Sequence, residues 1–186
     1  MNLAYQGTHT LEAIGAFNGQ AAPVSVFGQV SGTSGLVETP KHHYAPDQCL
    51  ASITYENGSS AMLRCGDNAP RVKDGPVNVH KRISVYGSEG YVFWSMHGWQ
   101  TRVGGVTESG SHVYGEEDIL GQAAMTDAMI DWIENGNAVH PLNLQHALRD
   151  FSVILGIYQS ALNHTVVPLP VDPEPNLVES LRGLPG

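Results

Sequence analysis

The sequence predicts an α+β fold, with an open, mostly antiparallel sheet of about six strands and helices packed on one face. The first observation behind this prediction is order: alternating runs joined by glycine turns occupy residues 23–114, and long apolar-periodic stretches occupy residues 116–163. Strands in one block and helices in another are typical of α+β proteins. The second is composition, because 21 glycines and 11 prolines among 186 residues supply the many turns that such a sheet needs.

The first predicted element is a short helix over residues 8–17. Its apolar residues recur at three-residue spacing: Leu11, Ile14 and Phe17. The helix should end at Asn18-Gly19, since glycine readily adopts the left-handed conformation that closes a helix. The β-branched segment PVSVFGQV, at residues 23–30, then predicts a strand.

Two hairpins follow this strand. The first is QCLASITYENGSSAMLRCG, at residues 48–66, in which Asn57-Gly58 joins two alternating runs. Asn-Gly is the strongest short hairpin signal, because both positions of the tight turn need positive φ. The second is HKRISVYGSEGYVFWS, at residues 80–95, which turns at residues 87–90.

The first hairpin also places the two cysteines of the chain. Alternate residues of its first strand share an apolar face: Cys49, Ala51, Ile53 and Tyr55. Cys49 and Cys65 are predicted to lie on neighbouring strands, where a disulfide is geometrically conceivable. We expect two buried thiols in a reducing compartment instead.

Further short strands, at residues 100–106 and 112–114, precede two long helices. The helix predicted at residues 116–134 has one apolar stripe: Ile119, Ala123, Met129, Trp132 and Ile133. The helix predicted at residues 143–163 has another, with Arg149 and Asp150 on its polar side: Leu144, Ala147, Leu148, Phe151, Ile154, Ile157, Tyr158 and Ala161. Residues 170–186 complete a single domain of residues 1–186 as an extended segment and a short final helix.

Composition excludes several function classes. A net charge of −9 with nine lysines and arginines argues against nucleic acid and anionic membranes as partners. The N-terminal residues lack the pattern of a secretory signal, and no apolar run reaches the length of a membrane span. We therefore expect a cytoplasmic protein.

Motifs for metals and nucleotides are also missing. His42 and His43 are adjacent and would point to opposite faces of a strand, while His140 and His146 have no third ligand nearby in sequence. The segment GQVSGTSG, at residues 28–35, lacks the G-x-G-x-x-G spacing and opens no apolar helix. We predict no metal site, and no dinucleotide site formed by this chain alone.

His9 is the strongest catalytic candidate. It follows Gly7-Thr8 at the start of the first helix, where a turn can hold an imidazole in a cleft. Its titration near neutrality suits proton transfer. A capping or surface histidine would leave the same pattern, so the residues themselves leave both interpretations open.

An ordered set of segments resembles one known family: YQGTHTLEAIGAFNG at residues 5–19, the Asn57-Gly58 hairpin preceded by Asp47, ISVYGSEGYVFW at 83–94 and QHALRDFSVILGIYQSALNHTVVPLP at 145–170. On these segments, residues 4–184 resemble the C-terminal domain of the glucose-fructose oxidoreductase / inositol dehydrogenase / MocA family. The resemblance implies half of an NAD(P)-dependent oxidoreductase acting on a sugar, a polyol or a related hydroxylated substrate. An N-terminal Rossmann domain would bind NAD or NADP and supply a lysine, and the C-terminal sheet would close the substrate site and form homo-oligomers.

The family's catalytic turn reads Asp-x-Gly-x-His, and Gly7 and His9 match its last two fixed positions. Tyr5 stands where the family has Asp, so the catalytic pair is incomplete, although Tyr5 could still donate a hydrogen bond to a substrate hydroxyl. Gln6 and Thr8 would lie around the substrate. Further candidates for holding hydroxyls, each otherwise a solvated loop residue, are His43, Tyr44, Arg71, His97 and His112.

We therefore expect Met1 to be an internal methionine of a longer protein, and this chain alone to be inactive and to bind no cofactor. One alternative is a free-standing, non-catalytic sheet domain for oligomerisation or carbohydrate binding. Another is altered chemistry such as NAD-assisted glycoside cleavage, which the missing Asp leaves open.

Overall fold

The computed structural model of the chain describes these residues: 7–32, 46, 48–66, 72–73, 78–79, 81–136, 139–172 and 174–181. Two compact units divide the chain, one formed by Met1–Ala69 with Leu144–Gly186 and the other by Pro70–Asn143. Both four-stranded sheets are antiparallel and open, and with the helices they confirm the predicted α+β class.

The helices are α1 (Thr8–Phe17), α2 (Tyr114–Asn135), α3 (Leu144–Asn163) and α4 (Leu177–Leu181). The strands are β1 (Pro23–Ser31), β2 (Gln48–Tyr55), β3 (Ser60–Gly66), β4 (Val72–Lys73), β5 (Asn78–Val79), β6 (Arg82–Gly87), β7 (Gly90–Ser95), β8 (Gly98–Val103), β9 (Val106–Ser111) and β10 (Val167–Pro168). The first unit contains the sheet β10-β1-β2-β3. The second contains the sheet β6-β7-β8-β9 and the short pair β4-β5.

In the first unit, α3 covers one face of the sheet. The predicted apolar face of β2 is buried, whereas Leu50 and the other intervening residues are exposed. Gly28 of β1 allows the close approach of α3, because a Cβ at this position would lie 2.7 Å from Cγ2 of Ile157. Ser160 ties the two elements together, since its Oγ accepts the Gly28 N–H at 2.9 Å and donates to the Thr165 carbonyl at 2.6 Å.

The β2–β3 hairpin is confirmed, but its predicted turn type is wrong. Gly58 has a φ of +82°, whereas Asn57 is not among the residues with positive φ in the described chain. The Gly58 N–H donates to the Tyr55 carbonyl at 3.0 Å. The side chain of Asn57 instead makes a tertiary contact with the end of α1. Its Nδ2 donates to Oδ1 of Asn18 at 2.8 Å. That contact favours a longer loop over the two-residue turn.

In the second unit the tight turn belongs to Gly104-Gly105, whose φ values are +56° and +83°. These glycines lie between Val103, the last residue of β8, and Val106, the first residue of β9. The strand β9 ends at Ser111. The predicted strand at residues 112–114 is therefore wrong. The chain turns into α2 there, and the Glu117 carboxylate accepts the Val113 N–H at 3.2 Å.

The predicted boundaries of α2 and α3 hold to within two residues, but their burial differs from prediction. None of the α2 side chains is fully buried, and Ile119 and Ile133 of its predicted stripe are exposed. In α3 the N-terminal part of the predicted stripe is exposed as well, with Phe151 at 52%. Asp150, predicted on the polar side, is only 5% exposed, so that prediction is wrong.

Cys49 and Cys65 are directly opposed on β2 and β3, as the predicted hairpin requires. Both are buried free thiols. Burial raises the pKa of Cys49 to about 12, with a further contribution from Cys65, and burial raises the pKa of Cys65 to about 11. Both groups are therefore protonated at neutral pH and are poor nucleophiles.

Candidate functional site

Of the predicted catalytic turn, the described structure contains Gly7, Thr8 and His9. Gly7 is buried just before α1, Thr8 is half-buried, and His9 is exposed on the first turn of the helix. Its exposure leaves the His9 imidazole accessible to a small molecule. The role of this imidazole in proton transfer stays a prediction.

One turn after His9, α1 is joined to α3 by charged side chains. Glu12 lies three residues after His9, which places the two on neighbouring positions of the helix surface. Glu12 Oε1 lies 3.2 Å from Nδ1 of His146, and Glu12 Oε2 accepts from Nη2 of Arg149 at 3.2 Å. Both partners are residues of α3, so the carboxylate of Glu12 anchors the helix that carries His9.

The Arg149 guanidinium is the centre of this group. Its Nε donates to Oδ1 of Asp150 at 3.0 Å, and its Nη1 donates to Oε1 of Gln20 at 2.6 Å. The guanidinium therefore contacts α1, the turn after α1, and its own helix. We call these five residues the Arg149 network: Glu12, Gln20, His146, Arg149 and Asp150.

Gly15 of α1 makes room for the network. A Cβ at Gly15 would lie 2.8 Å from Nη2 of Arg149 and 2.9 Å from Oε1 of Gln20. Because any side chain would displace the guanidinium, α1 presents a bare backbone to α3 at this position. The sequence thus matches a small residue on one helix to a large cation on the other.

Burial dominates the electrostatics of the network. It raises the pKa of Asp150 to about 6, against the opposing effect of Arg149 and with an additional upward effect of the Glu12 carboxylate. Burial also raises the pKa of Tyr55 on β2, to which the negative charge of Asp150 contributes. Asp150 therefore changes its charge in the mildly acidic range.

A second group of predicted residues lies in the second unit. His97 and His112 are adjacent, since the His112 N–H donates to the His97 carbonyl at 2.8 Å. Nδ1 of His112 donates to Oε2 of Glu117 at 2.8 Å, and its Nε2 is buried without a hydrogen-bond partner. Trp94 lies beside the ring, with centroids 6.0 Å apart.

The remaining predicted site residues lie outside the described part of the chain: Tyr5, Gln6, His43, Tyr44 and Arg71. Their roles stay predictions.

A metal site and a dinucleotide site each need a particular arrangement of residues, which can be compared with the described part of the chain. Among them, no three His, Cys, Asp or Glu side chains converge as metal ligands. The two four-stranded sheets are antiparallel throughout, and Gly28 of the glycine-rich segment packs on α3 instead of opening a helix. The described residues thus differ from a Rossmann site, in which a glycine turn between a parallel strand and a helix N-terminus holds the dinucleotide phosphates.

Sequence reasoning missed the Arg149 network, although the sequence contains a signal for it. Asp150 lies four residues before Ile154 and seven before Ile157, so helical periodicity places it in line with the buried side of α3. A carboxylate on a buried stripe needs a partner, and the preceding arginine is an obvious one.

No family model matches this sequence, and no curated protein matches it. Among solved structures, an NAD binding oxidoreductase from Klebsiella pneumoniae is similar with a TM-score of 0.69 at 13% identity, over 90% of this chain and 50% of that chain. Aldose-aldose oxidoreductase from Caulobacter crescentus, complexed with glycerol, gives 0.62 at 20% identity over 88% and 46%. Levoglucosan dehydrogenase, in complex with NADH and levoglucosan, gives 0.63 at 17% identity over 89% and 49%.

These similarities establish a shared fold. The chain spans about half the length of each of these oxidoreductases. Within the described residues, no helix is long and apolar enough to cross a membrane.

Proposed function

We propose that this chain is the substrate-binding and oligomerisation half of an NAD(P)-dependent oxidoreductase acting on a sugar, a polyol or a related hydroxylated substrate. It would form one domain of the glucose-fructose oxidoreductase / inositol dehydrogenase / MocA type. The observation that carries the proposal is coverage: the fold of about nine-tenths of this chain matches about half of several oxidoreductases. A cytoplasmic location is part of the same proposal.

His9 has the central role in this proposal. Hydride would pass between a substrate carbon and the nicotinamide, and the His9 imidazole would take or return the hydroxyl proton. The exposed position of His9 on the first turn of α1 supports this role. Tyr5, Gln6 and Thr8 would surround the hydroxyl, and Tyr5 would act as a hydrogen-bond donor in place of the family's Asp.

The remaining predicted contacts come from loops. We propose that His97 and His112, which are adjacent in the second unit, hold substrate hydroxyls. His43, Tyr44 and Arg71 would do the same from their loops.

NAD or NADP would be bound by a Rossmann domain outside these 186 residues. We expect this chain alone to bind none, because its sequence lacks the G-x-G-x-x-G turn. Titration of the chain with NADH and NADPH, followed by nicotinamide fluorescence, tests this point. Saturable binding at micromolar cofactor would contradict the assignment.

The decisive experiment is to sequence the source DNA upstream of the Met1 codon. An open frame encoding a strand, a G-x-G-x-x-G turn and a Glu-Lys-Pro motif supports the proposal. In that longer protein, His9→Asn should lower kcat by about 10²- to 10⁴-fold, which is the range for loss of a general acid or base. A stop codon close upstream, with no Rossmann gene beside it, would overturn the oxidoreductase assignment.

A group of aromatic side chains on the second sheet suits either the oligomerisation role or the alternative of a free-standing carbohydrate-binding module. Tyr86, Tyr91 and Phe93 share a face of β6 and β7, with Tyr91 stacked on Phe93 at 4.6 Å and Tyr86 edge-on to it at 5.8 Å. Tyr86 is 74% exposed. Exposed aromatic groups on a sheet suit either a second copy or a sugar ring.

Analytical ultracentrifugation separates these uses of the aromatic face. Homo-oligomers that dissociate in Tyr86→Ser would support the oligomerisation role. A monomer at all concentrations would contradict it, and monosaccharide binding by that monomer would support the carbohydrate module instead.

A further inference from the structure

We propose that the Arg149 network is a positioning device that fixes α1 on α3 and thereby sets the place of His9. The importance of that place rests on the proposed function, whereas the fixing of α1 does not. Glu12, Arg149 and Asp150 are the positioning residues. None of them is assigned to contact substrate.

Hydrogen bonds attach α1 to α3 at Glu12 and at Gln20. Glu12 receives two α3 side chains, one on each carboxylate oxygen, at 3.2 Å each. The same guanidinium binds Gln20, just beyond the end of α1, at 2.6 Å. The helix is therefore held at its middle by Arg149 and His146, and beyond its C-terminal end by Arg149.

Apolar contacts alone do not define the position of α1 on the first unit. Leu11 and Gly15 are its buried residues, Ile14 is half-buried and packs against the core, and Phe17 is 47% exposed. One buried leucine and one half-buried isoleucine do not by themselves set the rotation and axial position of a ten-residue helix, because apolar contact is not directional. The hydrogen bonds of a fork-shaped guanidinium are directional, so they define how α1 lies on α3.

The network also makes this hold sensitive to pH. The groups facing Asp150 are Arg149 on its own helix, Glu12 on α1 and Tyr55 on β2. Protonation of Asp150 removes one of the two carboxylates that share the guanidinium. We expect Arg149 then to interact more strongly with Glu12, so that α1 is held more firmly near pH 5 than near pH 8.

Amide hydrogen exchange of the 186-residue chain tests the fixing of α1. Glu12→Gln and Arg149→Met should each speed exchange in residues 8–17 by about tenfold or more, the factor that corresponds to about 1.4 kcal/mol of local opening. Exchange in residues 49–53 of β2, which are core residues and report global opening, should rise by no more than the loss of stability that urea denaturation measures. Arg149→Lys, which keeps the charge but has no fork, should restore part of the protection. Glu108→Gln, on the exposed strand β9, is the matched charge control and should change neither segment.

The ring signals of His9 give a readout that general destabilisation does not move. Their assignment follows from the cross-peak lost in His9→Asn. They should shift in Glu12→Gln and Arg149→Met at temperatures where both variants are folded, and return towards wild type in Arg149→Lys. Unchanged His9 signals in both variants, or unchanged exchange in residues 8–17, would overturn the positioning role.

Failure of this inference differs from failure of the proposed function. If His9→Asn leaves turnover of the longer protein unchanged, the proposed function fails while the fixing of α1 stands. If amide exchange in α1 is the same in Glu12→Gln and Arg149→Met as in the wild type, the positioning inference fails whatever reaction the protein catalyses.

Discussion

The two halves of α3 meet the rest of the first unit in opposite ways. The C-terminal half buries an apolar surface, including Val153, Ile154 and Ile157, against the sheet. The N-terminal half exposes Leu148 and Phe151 and buries Asp150 instead. One half supplies non-directional burial that keeps helix and sheet together, and the other supplies directional hydrogen bonds that orient a second helix.

The largest effect should come from breaking the apolar half. Ile157→Ala removes a side chain with 0% exposure and leaves a cavity beside Gly28. We expect a loss of about 2 to 5 kcal/mol in the free energy of unfolding, measured by urea denaturation. Leu148→Ala, at an exposed position of the same helix, is the control and should change it by less than about 0.5 kcal/mol. Equal losses in both variants would mean that the halves do not differ.

Removing the cation tests the polar half. Arg149→Met leaves the buried Asp150 carboxylate without its guanidinium, and it frees one oxygen of Glu12. We expect a loss of about 2 to 3 kcal/mol at pH 7.5, because a buried charge without its partner is strongly destabilising. Urea denaturation measures it. A loss below about 0.5 kcal/mol would show that the network contributes nothing to stability.

Asp150→Asn should have a smaller effect of the opposite sign. The folded-state pKa of Asp150 is raised to about 6 from 3.8, so the folded protein holds this proton more tightly than the unfolded chain does. The contribution of Asp150 to stability is therefore greatest below pH 4, falls between pH 4 and pH 6, and stays low above pH 6.

Asparagine retains an acceptor for Arg149 without the buried charge, so we expect the variant to gain roughly 1 to 2 kcal/mol at pH 7.5 and to flatten the profile between pH 4 and 6. Thermal unfolding across this range measures both. A variant with the wild-type slope would show that another group causes the pH dependence.

The smallest effect concerns a second contact at the C-terminal end of α1, which joins Asn18 to the β2–β3 loop and does not involve Arg149. Asn57→Ala removes the bond from the β2–β3 loop to Asn18 and should cost about 0.5 to 1.5 kcal/mol. If the network dominates the position of α1, amide exchange in residues 8–15 should barely change. Exchange there that rises as much as in Arg149→Met would remove the distinction between the two anchors.

Local patterns in the sequence predicted most of the elements. The Asn18-Gly19 stop, the β2–β3 hairpin, the opposed cysteines and the lengths of both long helices follow from periodicity and turn chemistry over a few residues. The wrong predictions have two causes. The turn at Asn57 and the burial of Asp150 depend on partners from other elements. Residues 112–114 are not a strand because the chain begins α2 there.

The features of the candidate site also differ in whether a local sequence pattern indicates them. The Gly7-Thr8-His9 motif is short and visible in the sequence, and its catalytic role stays a prediction. His97 and His112 are adjacent because β8 pairs with β9, and the sequence analysis did not predict this pairing. The link from Glu12 to Arg149 spans 137 residues and has no local signature. Its one clue was a charged residue on the buried stripe of α3.

The sequence alone therefore determined most of the helices and strands, because backbone preference and apolar period act over a few neighbours. The segment at residues 112–114 is an exception. Tertiary structure decided which face of α3 is buried in each half and what α1 rests on. The physical reason is that burying Asp150 requires Arg149, and seating Arg149 requires the bare backbone of Gly15 and the carboxylate of Glu12. That condition is met only when the two helices come together.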